Sequence, residues 1–387
     1  MLRRAFILLL GTISLAACGS NDTGAPIAIN QPPVISQGPS AAMSPGMSPV
    51  SGPVAVLLPL TGKLAEIGQP MLRAARLAMT VPGSPALDVR DTGGTPEGAA
   101  QSAVEAIAAG DRMILGPVTS TETAQVAPIA RRAGVPVLAF TNDTAQSQPG
   151  VWTLGITSGQ QVRRLMGAVR DSGNVPVAAL LPDNDFGKAM GDELTRIAAA
   201  ASQPAPFVRM IGPGPEEIAS AVNELAGMAG TDEPLPFGSI LLASTGSDLK
   251  AFAKAFADAK IDRAKVQILG PALWWDPASG SSAMPGAWFA TPDPAARLDL
   301  IRDFTAAYKV PPPPLADLAY DAASIARVLG GQGRMNAAGL TQPEGFTGVD
   351  GWFALLPEGQ VRRGLAVFKV DRARPVKIGD APGGPGS

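Results

Sequence analysis

Two short motifs contain residue types that could perform catalysis, and neither of them is complete. Residues 247–250, Ser-Asp-Leu-Lys, match the spacing of the β-lactamase nucleophile motif, but its companion Ser-Asp-Asn and Lys-Thr-Gly elements are absent. Ser247 precedes an amphipathic pattern, so we interpret it as the N-cap of a helix. Residues 61–63, Thr-Gly-Lys, lack the upstream glycine of a phosphate-binding loop, and Leu64 follows the lysine.

A third motif could hold a cation. Asp183 and Asp185 flank Asn184, as at the start of a calcium-binding loop. Such a loop needs a further ligand and then a glycine, where this chain has Gly187 and Lys188. Because the lysine repels a cation, we expect a surface loop that caps the following helix.

The composition excludes several classes of function. The chain contains no histidine, so it has no Ser-His-Asp triad, no imidazole base and no histidine metal ligand. Its net charge of −2 creates no field that attracts nucleic acid. With 46% hydrophobic and 17% charged residues, the chain is typical of globular proteins. We therefore predict a folded protein without catalytic residues, metal, cofactor or nucleic-acid partner.

The N-terminus predicts a membrane anchor. Arg3 and Arg4 precede an apolar run, and residues 15–18, Leu-Ala-Ala-Cys, contain the chain's single cysteine. We predict a signal peptide over residues 1–17. Its end resembles the lipobox of bacterial lipoproteins, which implies cleavage before Cys18, lipidation of this residue and exposure to the periplasm. Gly19 in place of aspartate favours the outer membrane, and an ordinary secretory signal is the alternative.

A Pro-, Gly- and Ser-rich segment follows the cysteine. Residues 18–52 show no sustained hydrophobic period, so we predict a tether. As a flexible coil its ends would lie about 30 Å apart, and in an extended polyproline II conformation it would span on the order of 100 Å. Residues 376–387 are predicted to form a disordered tail.

The predicted strands and helices that would position a ligand site begin at Val54. Short apolar runs alternate with helical patterns in two successive cycles, which predicts an α/β fold with two doubly wound, Rossmann-like lobes. In open sheets of this kind, ligands bind at the carboxyl ends of the strands. The loops expected there are rich in hydroxyls and amides, which predicts a polar cleft unless these residues only cap helices.

Three segments resemble the type I periplasmic binding proteins of the leucine/isoleucine/valine-binding group, namely residues 54–79, 113–143 and 318–329. The resemblance implies two lobes that are joined by three crossings and close on a ligand. It places residues 53–154 and 284–340 in lobe 1, and residues 155–283 and 341–375 in lobe 2.

The resemblance also implies a ligand site. The candidate ligand-binding residues are Ser120 and Thr121 for a carboxylate, Asn142 and Thr144 beside them, Ile67, Ser244, Ala272 and Trp274. Ala272 stands where those proteins keep the acid that pairs with an α-ammonium, and Asp276 is the alternative partner. Trp274 and Trp275 are adjacent, so we expect one to pack under its loop and the other to line the cleft or a partner surface.

One branch of this superfamily combines a lipobox, a Pro-rich tether and altered ligand residues: the penicillin-binding-protein activators. Residues 346–370 resemble their C-terminal region. This resemblance implies an outer-membrane lipoprotein that activates a peptidoglycan synthase by direct contact. The alternative is a solute-binding receptor of an ABC importer for amino acids, amides or similar small polar ligands. Neither function is enzymatic.

Overall fold

The computed structural model describes residues 25–30, 51–229, 234–372 and 374–384. The strands are β1 (Ile27–Ala28), β2 (Val54–Leu58), β3 (Leu87–Asp91), β4 (Ile114–Leu115), β5 (Val137–Ala139), β6 (Val151–Thr153), β7 (Val177–Pro182), β8 (Val208–Ile211), β9 (Ser239–Leu242), β10 (Gln267–Gly270), β11 (Trp288–Thr291), β12 (Phe346–Gly348), β13 (Gly351–Leu355), β14 (Val361–Arg363), β15 (Ala366–Lys369) and β16 (Val376–Gly379). The α-helices are α1 (Ala65–Ala78), α2 (Pro96–Ala109), α3 (Ser120–Ala133), α4 (Ser158–Asp171), α5 (Asp185–Ala200), α6 (Pro215–Ala226), α7 (Gly246–Asp258), α8 (Leu298–Tyr308), α9 (Ala316–Gly331) and α10 (Ala337–Leu340).

The first lobe is built on a five-stranded parallel sheet with the order β3-β2-β4-β5-β6. Successive residues of β2 face opposite sides, as the strand period requires. Val54 and Val56 pack into the core beneath α1 and α9, whereas Ala55 and Leu57 pack against α2 and α3. Both faces are covered, which explains why β2 is an uninterrupted apolar run.

The second lobe repeats this arrangement on a seven-stranded sheet with the order β16-β15-β11-β10-β9-β7-β8. The strands β15 and β16 run antiparallel at one edge, and the others pair in parallel. Leu180 packs on the side of α6 and α7, and Leu181 packs on the side of α4 and α5. The prediction of two doubly wound lobes is therefore confirmed.

The division of the chain between the lobes differs from the predicted one at two places. We assigned residues 284–340 to lobe 1, but β11 pairs with β10 in the second sheet. We assigned residues 341–375 to lobe 2, but Phe346 and Phe353 pack into the core of the first lobe. Three crossings join the lobes: between β6 and α4, between β11 and α8, and between β14 and β15. The helices α8 and α9 do pack on the first lobe, and β15 does join the second sheet, so the predicted boundaries are misplaced and the segments are right in part. The apolar pattern of a strand does not show which sheet the strand joins, which is why both boundaries were wrong.

The described parts of the predicted tether and of the predicted tail contain strands. Within the expected tether, β1 pairs in parallel with β12 in a small sheet of order β1-β12-β13-β14. Within the expected tail, β16 pairs with β15. Cys18 and the signal peptide lie outside the described residues. In the described part of the chain, no helix has the length and apolarity to cross a membrane.

One of the two predicted helix caps is confirmed, and the other is wrong. The Asn184 side chain accepts a hydrogen bond of 2.9 Å from the Gly187 backbone N–H, so the Asp-Asn-Asp segment caps α5 as expected. The N-cap of α7 is Thr245, so Ser247 lies in the first turn of the helix and does not cap it.

Candidate functional site

A cleft of about 780 Å³ lies between the lobes. Its walls are the residues that follow β4, β5 and β6 in the first sheet and β10 and β11 in the second sheet, together with α8 and α9. The carboxyl ends of both parallel sheets therefore face the same space, where the fold is expected to bind ligands.

The first lobe contributes a polar wall at the start of α3. Thr119 caps this helix through a capping box with Glu122, which fixes the first turn. Ser120 and Thr141 place their hydroxyl oxygens 3.1 Å apart, and Asn142 lines the cleft beside them. Hydroxyl groups next to a helix N-terminus can bind a carboxylate or a carbonyl oxygen. Ser120 and Asn142 are the two predicted site residues that line the cleft.

The second lobe contributes an aromatic wall, which is Trp275 and not the predicted Trp274. A 3-10 turn over residues 272–275 turns the two tryptophans in different directions. Trp274 is fully buried in the core of the second lobe, where its Nε1 donates a 2.9 Å hydrogen bond to the Ser244 carbonyl oxygen. Trp275 is 40% exposed, lines the cleft and meets Phe368 edge to face at 5.2 Å between ring centroids.

Ala272, which stands where related amino-acid receptors keep an acid, makes a hydrogen bond within the second lobe. The backbone N–H of Ala272 donates to Oε1 of Gln161 on α4, at 2.7 Å. Asp276 is exposed, and its carboxylate accepts a 2.8 Å hydrogen bond from the Ala278 backbone N–H. Neither residue belongs to the cleft lining. The alternative that Asp276 pairs with a ligand ammonium therefore finds no support.

Three other carboxylates do line the cleft, and each of them faces a cation. Asp293 accepts a 2.9 Å hydrogen bond from Lys377 Nζ. Asp317 accepts two hydrogen bonds from Arg297, of 2.7 and 2.8 Å. Asp350 lies 3.9 Å from Nη1 of Arg363. A ligand with an ammonium group would compete with these existing pairs.

The pairs Arg297–Asp317 and Arg363–Asp350, together with Asp321, form a buried cluster near the crossings between the lobes. Arg363 is almost fully buried, donates a 2.9 Å hydrogen bond to the Leu154 carbonyl oxygen and lies over the Phe353 ring. Asp321 accepts a 2.9 Å hydrogen bond from the Val349 backbone N–H. Burial, and then the neighbouring Asp350, raise the pKa of Asp321 well above its usual range.

Asp317 and Asp350 respond to the same environment. Burial and the charge of Asp350 raise the pKa of Asp317, while Arg297 opposes this shift. Burial also raises the pKa of Asp350 against the opposing charges of Arg363 and Arg297. The cluster thus combines three carboxyls with two guanidinium groups, and it favours holding a proton on one of the carboxyls.

The remaining candidates do not line the cleft. Thr121 and Thr144 are exposed outside it, Ile67 packs against the first core, and Ser244 contributes the carbonyl oxygen that holds Trp274. Sequence reasoning missed Arg297, Asp317 and Asp350. One signal was available, because Asp317 and Asp321 are four residues apart on the mostly apolar helix α9. Within the described ranges, no group of His, Cys, Asp and Glu residues could hold a metal ion.

Comparison with known proteins identifies relatives of this architecture. A family model described as "Periplasmic binding protein" matches residues 53–373. A solute-binding protein of an ABC transporter from R. palustris, solved with benzoate, is 21% identical, with a TM-score of 0.55 over 86% of this chain and 97% of that chain. The leucine-binding protein LivK from Thermotoga maritima is 17% identical, with a TM-score of 0.57 over 85% and 98%.

A third similar structure is not described as part of an ABC transporter. LpoA from Haemophilus influenzae is 16% identical, with a TM-score of 0.67 over 87% of this chain and 60% of that chain. No curated protein matches the sequence. At these identities the structural likeness concerns the fold alone.

Proposed function

Because the chain belongs to the periplasmic binding protein family, we propose that it acts in the periplasm by non-covalent contact and has no catalytic activity. Its partner in this proposal is a peptidoglycan synthase, a penicillin-binding protein, which the contact activates. Lipidation of Cys18 attaches the chain to the outer membrane. The lipobox, the Pro-rich segment and the altered ligand residues support this choice of partner.

The observation that carries the proposal is an apolar rim at the mouth of the cleft. We define this rim as Trp275, Leu298 and Leu315, which are 40%, 61% and 42% exposed. Large apolar side chains that cluster on an exposed surface mark contact sites, and tryptophan is enriched among the residues that dominate binding energy.

Binding of synthases to the soluble chain tests the proposal. We expect a bifunctional synthase to bind the chain that begins after Cys18 and to polymerise glycan faster in its presence. The double variant Leu298→Asp/Leu315→Asp should lose both effects and retain the thermal stability of the parent protein. Val104→Asp is the matched control, because Val104 is 49% exposed on α2, away from the cleft. A chain that neither binds nor stimulates any bifunctional synthase contradicts the proposal.

A second candidate function is favoured by the size of the cleft. A volume of about 780 Å³ falls within the range of small-molecule sites. The hydroxyl pair at Ser120 and Thr141 would face a polar end of a ligand, and Trp275 would face an apolar end. This arrangement fits a solute receptor of an ABC importer for amides or small carboxylates better than one for amino acids, because each carboxylate among the described cleft residues already has a cationic neighbour.

A thermal-shift screen separates the two candidates. A ligand at a hundredfold excess over its Kd stabilises a receptor by about 2.7 kcal/mol. The screen should include amino acids, amides and benzoate, with Ser120→Ala as the matched variant that removes one hydroxyl of the pair. If no compound raises the melting temperature, the result contradicts the receptor candidate and supports the proposal of a synthase contact.

A further inference from the structure

Residues 25–30 are fixed to the folded body, although they belong to the segment that was expected to be a free tether. We propose that this segment, which we call the docking strand, holds the body close to the membrane that carries a lipidated Cys18. The proposal rests on the lipid anchor of the proposed function, but not on the identity of the partner. It has two parts: the strand is docked in solution, and the docking limits the reach of the body.

Backbone pairing establishes the docking. The docking strand lies parallel to β12, with Ile27 opposite Phe346 and Ala28 opposite Thr347. The Ile27 N–H donates to the Gly345 carbonyl oxygen and the Ile29 N–H donates to the Thr347 carbonyl oxygen, both at 3.0 Å. These bonds satisfy an edge of the small sheet that would otherwise be open.

Side chains add a second and independent attachment. Ile29 is 0% exposed and belongs to the core of the first lobe, together with Phe346 and Phe353. Ile27 packs against the same core, while Ala28 between them is exposed. This alternation is that of a strand with one buried face. The buried side chain of Arg327 also donates a 2.8 Å hydrogen bond from Nη2 to the Ile29 carbonyl oxygen.

The position of the strand in the chain determines how far the body can move from the anchor. Ala25 follows Cys18 by seven residues, which span at most about 25 Å when fully extended. If the strand were released, the free chain would extend from Cys18 to Val54 and span at most about 120 Å. Residues 31–53 connect two points of the same body, so their length adds nothing to the reach while the strand is docked.

Disulfide trapping tests the docking without the membrane. The soluble chain that begins at Gly19 contains no cysteine, so Ala28→Cys with Thr347→Cys introduces a single possible pair. These residues are register partners with outward-facing side chains, and we expect a disulfide to form in air. The control is Ala28→Cys with Ala338→Cys, which is exposed on α10 and should stay reduced. If the first pair stays reduced, or both pairs oxidise equally, the docking is contradicted.

Spacer insertion tests the limit on reach in the full lipidated chain. The chain is reconstituted into vesicles, and energy transfer is measured from a dye on Ala338→Cys to a dye in the lipid. A 20-residue Gly-Ser spacer after Gly24 should reduce the transfer severalfold, whereas the same spacer after Ser40 should leave it unchanged. Equal effects of the two spacers overturn the limit on reach. A chain that does not join the vesicles overturns the membrane part of the proposal, while the trapping result still decides the docking and synthase binding still decides the proposed function.

Discussion

Trp274 and Trp275 are adjacent in the sequence, but their side chains occupy different environments. Trp274 fills the second core, and Gly270 leaves room for it: a Cβ at Gly270 would lie 2.3 Å from the Trp274 ring. We therefore expect Trp274→Ala to lower the free energy of unfolding by about 3–5 kcal/mol, because it leaves a large cavity. Trp275→Ala should lower this free energy by only about 1 kcal/mol, through loss of the contact with Phe368, and bind the synthase at least about 30-fold more weakly. Urea denaturation and titration binding measure the two effects, and equal unfolding midpoints for both variants would contradict the assignment.

Asp111 predicts a pH dependence that is independent of the cleft. Both of its carboxylate oxygens are buried, and among the described residues no N–H or hydroxyl group donates a hydrogen bond to them. Burial, and then the neighbouring Asp88, raise the pKa of Asp111 to about 7. An unfolded aspartate has a pKa of about 3.9, so the folded state binds the proton more tightly between about pH 4 and pH 7. The free energy of unfolding contributed by this group therefore falls as the pH rises through that window, and it is constant above it.

Asp111→Asn removes this contribution. We expect the variant to be more stable than the parent protein at pH 8 and equally stable near pH 4, as measured by urea denaturation across that range. Asp185→Asn is the control, because Asp185 is exposed in the first turn of α5 and its replacement should leave the profile close to that of the parent. A variant whose stability runs parallel to the parent at every pH would show that Asp111 does not titrate in this window.

At the scale of elements, most local signals were predictable from the sequence, although the cap of α7 lies at Thr245 and not at Ser247, and long-range pairing was not predictable. The capping box at Thr119 and the cap at Asn184 follow from residue types at fixed spacing. The strand β1 is only two residues long and exists because β12, more than 300 residues later, offers an edge. The same limit applies to β11, whose apolar residues suit either sheet. The cleft could be predicted from the loops. Its charged residues Arg297, Asp317 and Asp350 could not, because they lie far apart in the sequence and meet only in the folded protein.

Arg363 links two of the three crossings, because it lies on β14 and donates a hydrogen bond to the Leu154 carbonyl oxygen after β6. Arg363→Met removes a buried cation and leaves Asp350 without it, so we expect a loss of about 3–5 kcal/mol in the free energy of unfolding. Adding Asp350→Asn should recover part of this loss, because it neutralises the charge that was left unpaired. A double-mutant cycle measured in urea tests this coupling. If the two single losses simply add, the charges do not interact.

At the scale of the whole molecule, the cleft walls belong to different lobes and the apolar rim spans both. Leu298 and Leu315 belong to the first lobe, and Trp275 belongs to the second. A partner that contacts only one lobe has no differential affinity for a closed clamp, whereas a partner that contacts both lobes favours closure. The proposed synthase contact should therefore cover the rim residues of both lobes at the same time.

Amide hydrogen exchange measures whether the synthase covers both sides of the rim at once. With increasing synthase, we expect amide exchange to slow in residues 272–275 and in residues 297–301 over the same concentration range, because one partner covers both sides of the rim. A small solute bound inside the cleft would instead slow exchange around Ser120 and Thr141 as well as at Trp275. Protection that reaches one lobe at a lower synthase concentration than the other would mean that the rim is not a single contact surface. The double variant Leu298→Asp/Leu315→Asp is the control, and it should abolish protection on both lobes because loss of the first-lobe contact also removes the energy that favours closure.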